Sequence, residues 1–529
     1  MDQHRSNKSV TPAKAPKHPA TRSNTAPANT GLHGKALALT FTGLMLAMFV
    51  SSLSETIAAT ALPTIVGDLG GVEIMQWVTT TYVLASTITM PLYGKLGDLI
   101  GRKGLLMTAL GLYTLGKVIC GISLNMEMLI TGRMISGIGG GGLIILSQAT
   151  LADVIPPRKL GTYMGVMGAV FSVSSVLGPL LGGWFVQVTG WRWIFWFTVP
   201  LALIAIGVLG AFLPKEHTAQ KRPSIDWLGM VTITLFVISL TLCISWGGTV
   251  YAWNSPEIGV LLIVFVAATI GFIECEKHAK EPIIPLYLFK NRNFVLCSVV
   301  GFLIEIGFMG TMNYLPTYFQ IVDRMSPEDS GLACVPLSFG VVIMSTITGW
   351  LASKTGHYKW MPIAMCALAG IGFFLMSTMQ IGQALWIPLL YLFILGVGFG
   401  TGLQILVLVV QNEFSHSLVG TATAANNFFR QIGSTVGAAL VGAMFTARLT
   451  ADLAGQLPKA DNLTLSALTP SVVDKLPEHL QTVIANGYSD ALVPLFGYFV
   501  PLAIAGLILM IFLKQHPLAT TIDHKGTGK

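Results

Sequence analysis

Gly94-Lys95-Leu96-Gly97-Asp98-Leu99-Ile100-Gly101-Arg102-Lys103-Gly104 places three cations, one carboxylate and four glycines in eleven residues of a chain that is only 10% charged. Apolar stretches of membrane-spanning length flank it at about 74–97 and 104–124. A charge at the bilayer centre costs about 2.5–3.5 kcal/mol, so this turn is expected at a membrane face. The surrounding composition agrees. The chain has 529 residues, 53% of them hydrophobic, and a mean hydropathy of +0.69. A soluble domain carries about 25% charged residues; this chain cannot coat a soluble surface.

Apolar runs recur at roughly 36–62, 74–97, 104–124, 127–151, 159–186, 191–213, 225–246, 256–275, 294–321, 330–353, 360–379, 384–410, 418–446 and 489–513. Each is long enough to cross the bilayer as a helix, and none alternates like a barrel strand. The fold class is therefore an all-α polytopic membrane protein with fourteen transmembrane helices. With the N-terminus inside, twenty-three of the 31 Lys and Arg residues fall on the inner side. By the positive-inside rule both termini are cytoplasmic. The expected location is the plasma (inner) membrane. Residues 1–35 read as a disordered basic tail and 514–529 as a second tail. The six cysteines are scattered, so neither a disulfide frame nor a metal site is expected. A net charge of +7 without a basic soluble face does not imply nucleic acid.

The chain repeats itself. Leu62-Pro63-Thr64 returns as Leu315-Pro316-Thr317, and Gly94, Leu96 and Gly101 return as Gly349, Leu351 and Gly356. Gly161-Thr162, Gly178 and Gly183 return as Gly420-Thr421, Gly437 and Gly442. The offsets stay near 255. Two six-helix halves, 36–213 and 294–513, follow, with 214–293 as an inserted pair and 447–488 as a long outer loop. Parallel repeats of this kind characterise transporters whose substrate site lies between the halves.

The opening turn resembles the major facilitator signature through Gly94, Leu96, Asp98, Gly101, Arg102 and Lys103. Gly178-Pro179-Leu180-Leu181-Gly182-Gly183 resembles the Gly-Pro-x-x-Gly-Gly motif of the fifth helix, and Arg133 with Gly137 resembles the arginine motif of the fourth. Leu53-Ser54-Glu55-Thr56-Ile57 and Arg430-Gln431-Ile432-Gly433 narrow the likeness to the fourteen-spanner drug:proton antiporter branch. Many members of that branch carry Asp where this chain has Ser54; here the acid is its neighbour, Glu55.

The resemblance implies export of small amphipathic, cationic drugs by alternating access, driven by the proton gradient without a cofactor. An exporter of a physiological solute is the nearest alternative, and a transport-dead sensor or scaffold a remote one. No nucleophile–base pair or nucleotide loop marks an enzyme. A monomer surrounded by lipid is expected.

Ionisable groups inside spans are functional candidates. Glu55 is expected to exchange a proton or a substrate cation, unless it stands idle near the outer water. Glu305 is expected either to share that task from the other half or to sit in a structural ion pair. Arg133 is expected to act on a partner carboxylate, since guanidinium keeps its proton; a structural ion pair is the alternative. Gly94, Asp98, Gly101, Arg102 and Lys103 read as a latch at the inner face. Asp98 would meet a cation or a helix N-terminus there. Gly178, Pro179, Gly182 and Gly183 read as close packing with a bend, and Arg430 as gating or packing. Trp77, Tyr82, Asn313, Gln404, Asn426 and Asn427 are candidate cavity residues.

Overall fold

The computed structural model describes residues 34–518 and 520, apart from 72–73, 215–225, 249, 454–472 and 474–475. Residues 1–33 of the N-terminal tail and half of the 447–488 loop thus lie outside the described residues.

The first half comprises α1 (Lys35–Leu69), α2 (Trp77–Ile100), α3 (Arg102–Gly121), α4 (Met126–Val154), α5 (Pro157–Val188) and α6 (Trp193–Phe212). The inserted pair is α7 (Trp227–Trp246) and α8 (Pro256–His278). The second half comprises α9 (Arg292–Ile321), α10 (Val335–Thr355), α11 (Trp360–Met376), α12 (Trp386–Glu413), α13 (Val419–Leu453) and α14 (Glu478–Ile511). Twelve crossings are long and apolar enough to span a membrane by composition alone. The others are α11, with 17 residues, and α2, which carries six Ser and Thr as well as Lys95 and Asp98. Those polar groups are tolerated because much of α2 packs against protein instead of lipid.

Local chemistry sets the breaks. Gly101 has φ 91°, a left-handed backbone that favours glycine, and separates α2 from α3. Gly356 ends α10 in the same region, at φ 76°. Side chains of Asn125, Ser255 and Asn291 cap α4, α8 and α9 by accepting from Met128, Ile258 and Phe294 N–H groups. Several helices outrun the apolar pattern. The first reaches Leu69 and α13 reaches Leu453, while α14 begins at Glu478, well before 489. Part of the expected outer loop is therefore helix. Hydropathy records the bilayer-crossing length, and a helix continues beyond it wherever nothing breaks its hydrogen bonds.

The halves meet along two seams. The longer pairs α5 with α10 through small residues. Gly165 packs on Ser345, Gly168 on Gln404 and Ser345, and Ser172 Oγ donates to Ser338 O at 3.1 Å. The other pairs α2 with α13 near the Gly94–Gly104 turn. The inserted α7 rests on both partners of that second seam. Trp246 meets Trp77 of α2 at 6.2 Å between rings, and Phe236 meets Phe428 of α13 at 6.3 Å.

Candidate functional site

One acid approaches the divide from each half. Glu305 of α9 is 7% exposed and paired with Arg430 of α13, whose Nη2 and Nε lie 2.6 and 3.2 Å from Oε1. Its neighbour Gln431 turns the other way. Gln431 Nε2 reaches Glu55 Oε1 of α1, in the opposite half, at a long 3.5 Å. Two consecutive residues of one helix therefore address two acids, one tightly and one loosely. Glu55 also lies within electrostatic range of Arg133 and Glu305. For Glu305 the ion-pair expectation is the one observed.

Among the described residues Arg133 has no carboxylate in ion-pair contact, although Glu55 lies within its electrostatic range. Its Nε donates to Val78 O at 2.8 Å, and Nη1 donates to Ser54 O at 2.9 Å and Ser54 Oγ at 3.1 Å. The guanidinium lies over the Tyr82 ring, 4.3 Å from its centroid. Ser54 offers it only dipoles. Lys117 of α3, overlooked as a partner in the sequence, bonds the same Ser54 Oγ.

At the face bearing the Gly94–Gly104 turn, the halves are locked together. Asp98 accepts from the Gly420 N–H at 3.0 Å, the Thr421 N–H at 2.6 Å and the Thr421 hydroxyl at 2.7 Å, all in the first turn of α13. A carboxylate is favoured there by the unpaired N–H groups and the helix dipole. Arg102 holds Asp98 at 3.1 Å and Asp153 at 2.8 Å, and His416 reaches Asp153 from the other half at 2.7 Å. Lys103 Nζ donates to the carbonyls of Gly210 and Leu213, fastening α3 to the end of α6. A Cβ on Gly94 would lie 2.6 Å from Gly420 O, so only glycine allows this approach. Gly101 serves the turn's backbone instead of a close contact.

The repeat counterpart works in the same way with weaker chemistry. Ser353 Oγ, standing where the first half has Asp98, accepts from Thr162 N–H in the first turns of α5 at 2.9 Å. Arg158 adds a bond to Lys354 O at 2.7 Å. Thus Gly420-Thr421 and Gly161-Thr162, matched in sequence, are the two receiving helix starts.

Other candidates scatter. Gly178 packs on Thr56 and Gly182 on Thr60 and Ile57, binding α5 to α1, whereas Gly183 has open space beside it. Pro179 lies inside an uninterrupted α5. Tyr82 is buried, donating to Ser51 O at 2.9 Å beneath Arg133, and Asn426 is buried against Ser298 Oγ at 3.2 Å. Each bonds within its own half, and Asn426 Oδ1 is left without a hydrogen-bond partner among the described residues. Asn427 ties the halves, donating to Gln148 Oε1 at 2.8 Å. Gln404 Oε1 is buried without a partner, Asn313 is exposed and Trp77 packs on α7. At the far face, a recess of about 750 Å³ opens beside Asp68, Trp191 and Arg192. There Asp68 binds Trp191 Nε1 at 3.0 Å and Arg192 at 2.9 Å.

Two repeated six-helix halves with an inserted pair, an acid approaching the divide from each half, and a latch at one face define a helical membrane transporter. The chain belongs to the Major Facilitator Superfamily, whose family model matches residues 44–438; it is a transporter and not an enzyme. An uncharacterized MFS-type transporter of Mycobacterium tuberculosis (strain ATCC 25618 / H37Rv) is 37% identical over 483 residues, 91% of this chain and 70% of its own length. The multidrug transporter protein MdtP of Bacillus subtilis (strain 168) is 33% identical over 509 residues, 91% of this chain and 94% of its own. Among solved structures, the human organic anion transporter MFSD10 (TETRAN) superposes with a TM-score of 0.62 at 14% identity, covering 90% of this chain and 100% of its own. That likeness concerns the fold alone.

Proposed function

We propose that the protein exports small amphipathic cations in exchange for protons by alternating access. In this reading the latched face is cytoplasmic, both termini lie on that side, and the protein resides in the cell's inner or plasma membrane. The carrying observation is the Arg430-Gln431 pair on α13, placed between Glu305 of its own half and Glu55 of the other. Both acids can hold either a proton or a positive charge. Protonation of Glu305 would release Arg430, and protonation of Glu55 would discharge a bound cation. Deprotonation on the opposite side would reset both. The multidrug name of a relative that covers nearly its whole length supports the substrate class.

One proton moving down 100 mV supplies about 2.3 kcal/mol, but a monovalent cation leaving against the same potential costs as much, so a one-for-one exchange is driven by the pH difference, about tenfold in concentration per pH unit. The test is substrate-evoked proton flux in proteoliposomes, with a panel of cationic, neutral and anionic compounds. Cations should evoke flux in the native protein, and the double substitution Glu55→Gln, Glu305→Gln should abolish it. Unchanged coupled flux in the double variant would sink the assignment of both acids. A response confined to one neutral or anionic metabolite would overturn the drug-cation reading.

A further inference from the structure

Lys117 and Arg133 are both 0% exposed, and so is Ser54, the hydroxyl they share. Among the described residues, no carboxylate pairs with either cation. An unpaired buried charge is strongly unfavourable even after relaxation, and two like charges side by side are worse. Arginine cannot relieve this by losing its proton, whereas a buried lysine readily does.

The surrounding groups are consistent with a neutral amine. On α1 they are Ser54 and, one residue further, Glu55. Tyr82 on α2, Tyr113 and Cys120 on α3, Arg133 on α4 and Phe195 on α6 complete the shell. The hydroxyls of Tyr82 and Tyr113 are committed as donors to Ser51 O and Val50 O, at 2.9 and 2.6 Å. An ammonium has three N–H donors and no acceptor site; Ser54 Oγ is the one hydrogen-bond partner described for it. A neutral amine has a lone pair. Arg133 Nη1 can then donate to Ser54 Oγ, while the Ser54 hydroxyl donates onward to Lys117 Nζ. That chain uses each group once and leaves a single buried charge, on Arg133, held by two backbone carbonyls and the Tyr82 face.

We propose that Lys117 is a proton-binding site of the transport cycle, neutral in the conformation seen here and protonated when Glu55 turns toward it from Gln431. One helical step of about 100° separates Glu55 from Ser54, so presenting the acid to the amine takes a turn of α1 combined with a swing of the Glu55 side chain. A proton carried by Glu55 from the divide would pass to the Lys117 lone pair, leaving the carboxylate as counter-charge, and would return to Glu55 before the acid turns back to Gln431. The part played in transport rests on the proton-coupled reading above; the neutral amine in this conformation does not.

The test uses the full-length protein with Lys117→Met, which mimics the neutral amine, and Lys117→Arg, which fixes a charge. Melting is followed from about pH 7 to about 10, below the ordinary lysine range. Unfolding frees Lys117 to bind a proton that the folded protein excludes. Native stability relative to the Met variant should therefore rise with pH, by up to about tenfold in the folding equilibrium per unit. The Arg variant should melt below both at every pH. Tetraphenylphosphonium added to the unbuffered protein should change proton release less in the Met variant than in the native one. Parallel pH curves for native and Met proteins, or an Arg variant that folds and transports normally while Met fails, would overturn the site in favour of a fixed structural cation. A pH-dependent stability difference together with equal proton exchange in the native and Met proteins on tetraphenylphosphonium addition removes the transport role but upholds the neutral amine. No proton exchange in the native protein at all sinks the antiport reading instead.

Discussion

Replacing Asp98 with Asn removes the charge, and one of two acceptor oxygens, from the junction between α2 and the start of α13. In the latched state those oxygens take two N–H groups and one hydroxyl of Gly420 and Thr421. A charge at a buried helix N-terminus contributes up to about 2 kcal/mol, and a charge-assisted hydrogen bond about 1.5–3 kcal/mol. The contact with Arg102 lies within one half and persists when the halves part. About 2–4 kcal/mol is therefore specific to the latched state, which corresponds to roughly thirty- to a thousandfold in the latched-to-open ratio. Amide hydrogen exchange measures it. Gly420 and Thr421 lose their acceptor directly, so the informative amide is Thr162, held by Ser353 on the other seam. If the face opens as one body, exchange at Thr162 should speed up although Asp98 never touches it. In vesicles, maximal transport rate should fall more than apparent affinity. Unchanged exchange at Thr162, or a loss confined to affinity, would refute the argument. Ser353→Ala should act in the same direction but more weakly, since a neutral hydrogen bond contributes about 0.5–1.5 kcal/mol.

Arg430→Met strands Glu305 in a buried position, which costs about 3–5 kcal/mol if the acid stays charged. The double change with Glu305→Gln should recover most of that stability in a melting assay. Gly349→Val would push a side chain to 2.9 Å from the Gly165 Cα, against backbone that cannot yield; it should hold the latched face open, read again as faster Thr162 exchange. Asp323, in the segment between α9 and α10, is half-buried, and burial raises its carboxyl above the usual range. The folded state thus binds its proton more tightly than the unfolded chain does. Stability should fall as pH rises from about 4 through that raised value, and Asp323→Asn should flatten the slope.

Much of the fold was legible because crossing a bilayer leaves a length signature, and because duplication leaves paired motifs. Those pairs carried further than packing. Gly161-Thr162 and Gly420-Thr421 turned out to be the helix starts that receive Ser353 and Asp98. Asp98 was readable since a carboxylate near a helix start has few alternatives. The Glu305–Arg430 pair spans 125 positions, and no local pattern encodes which cation an isolated acid will meet. Arg133 was only partly readable for a related reason: its direct partners are carbonyls of α1 and α2, invisible in side-chain chemistry, while Glu55 acts on it from a distance. Tyr82 and Asn426 illustrate the same limit, since polar groups inside spans look alike whether they face a cavity or a neighbouring helix. Asn427, one position along, bridges the halves.

The two seams are unequal in another respect. The α5–α10 seam is zipped by small residues from Gly161 to Ser172, nearly the full length of α10, whereas the described ties between α2 and α13 gather beside one turn. With both ties at the latched face released, including Ser353–Thr162 at the end of the longer seam, the flank with fewer ties travels furthest. That flank is α2–α13, and α7, touching both its leaves, stands where the gap would admit a bilayer-dissolved molecule. The transporter would then have a sided mouth toward lipid, wide and screened on one flank and narrow on the other.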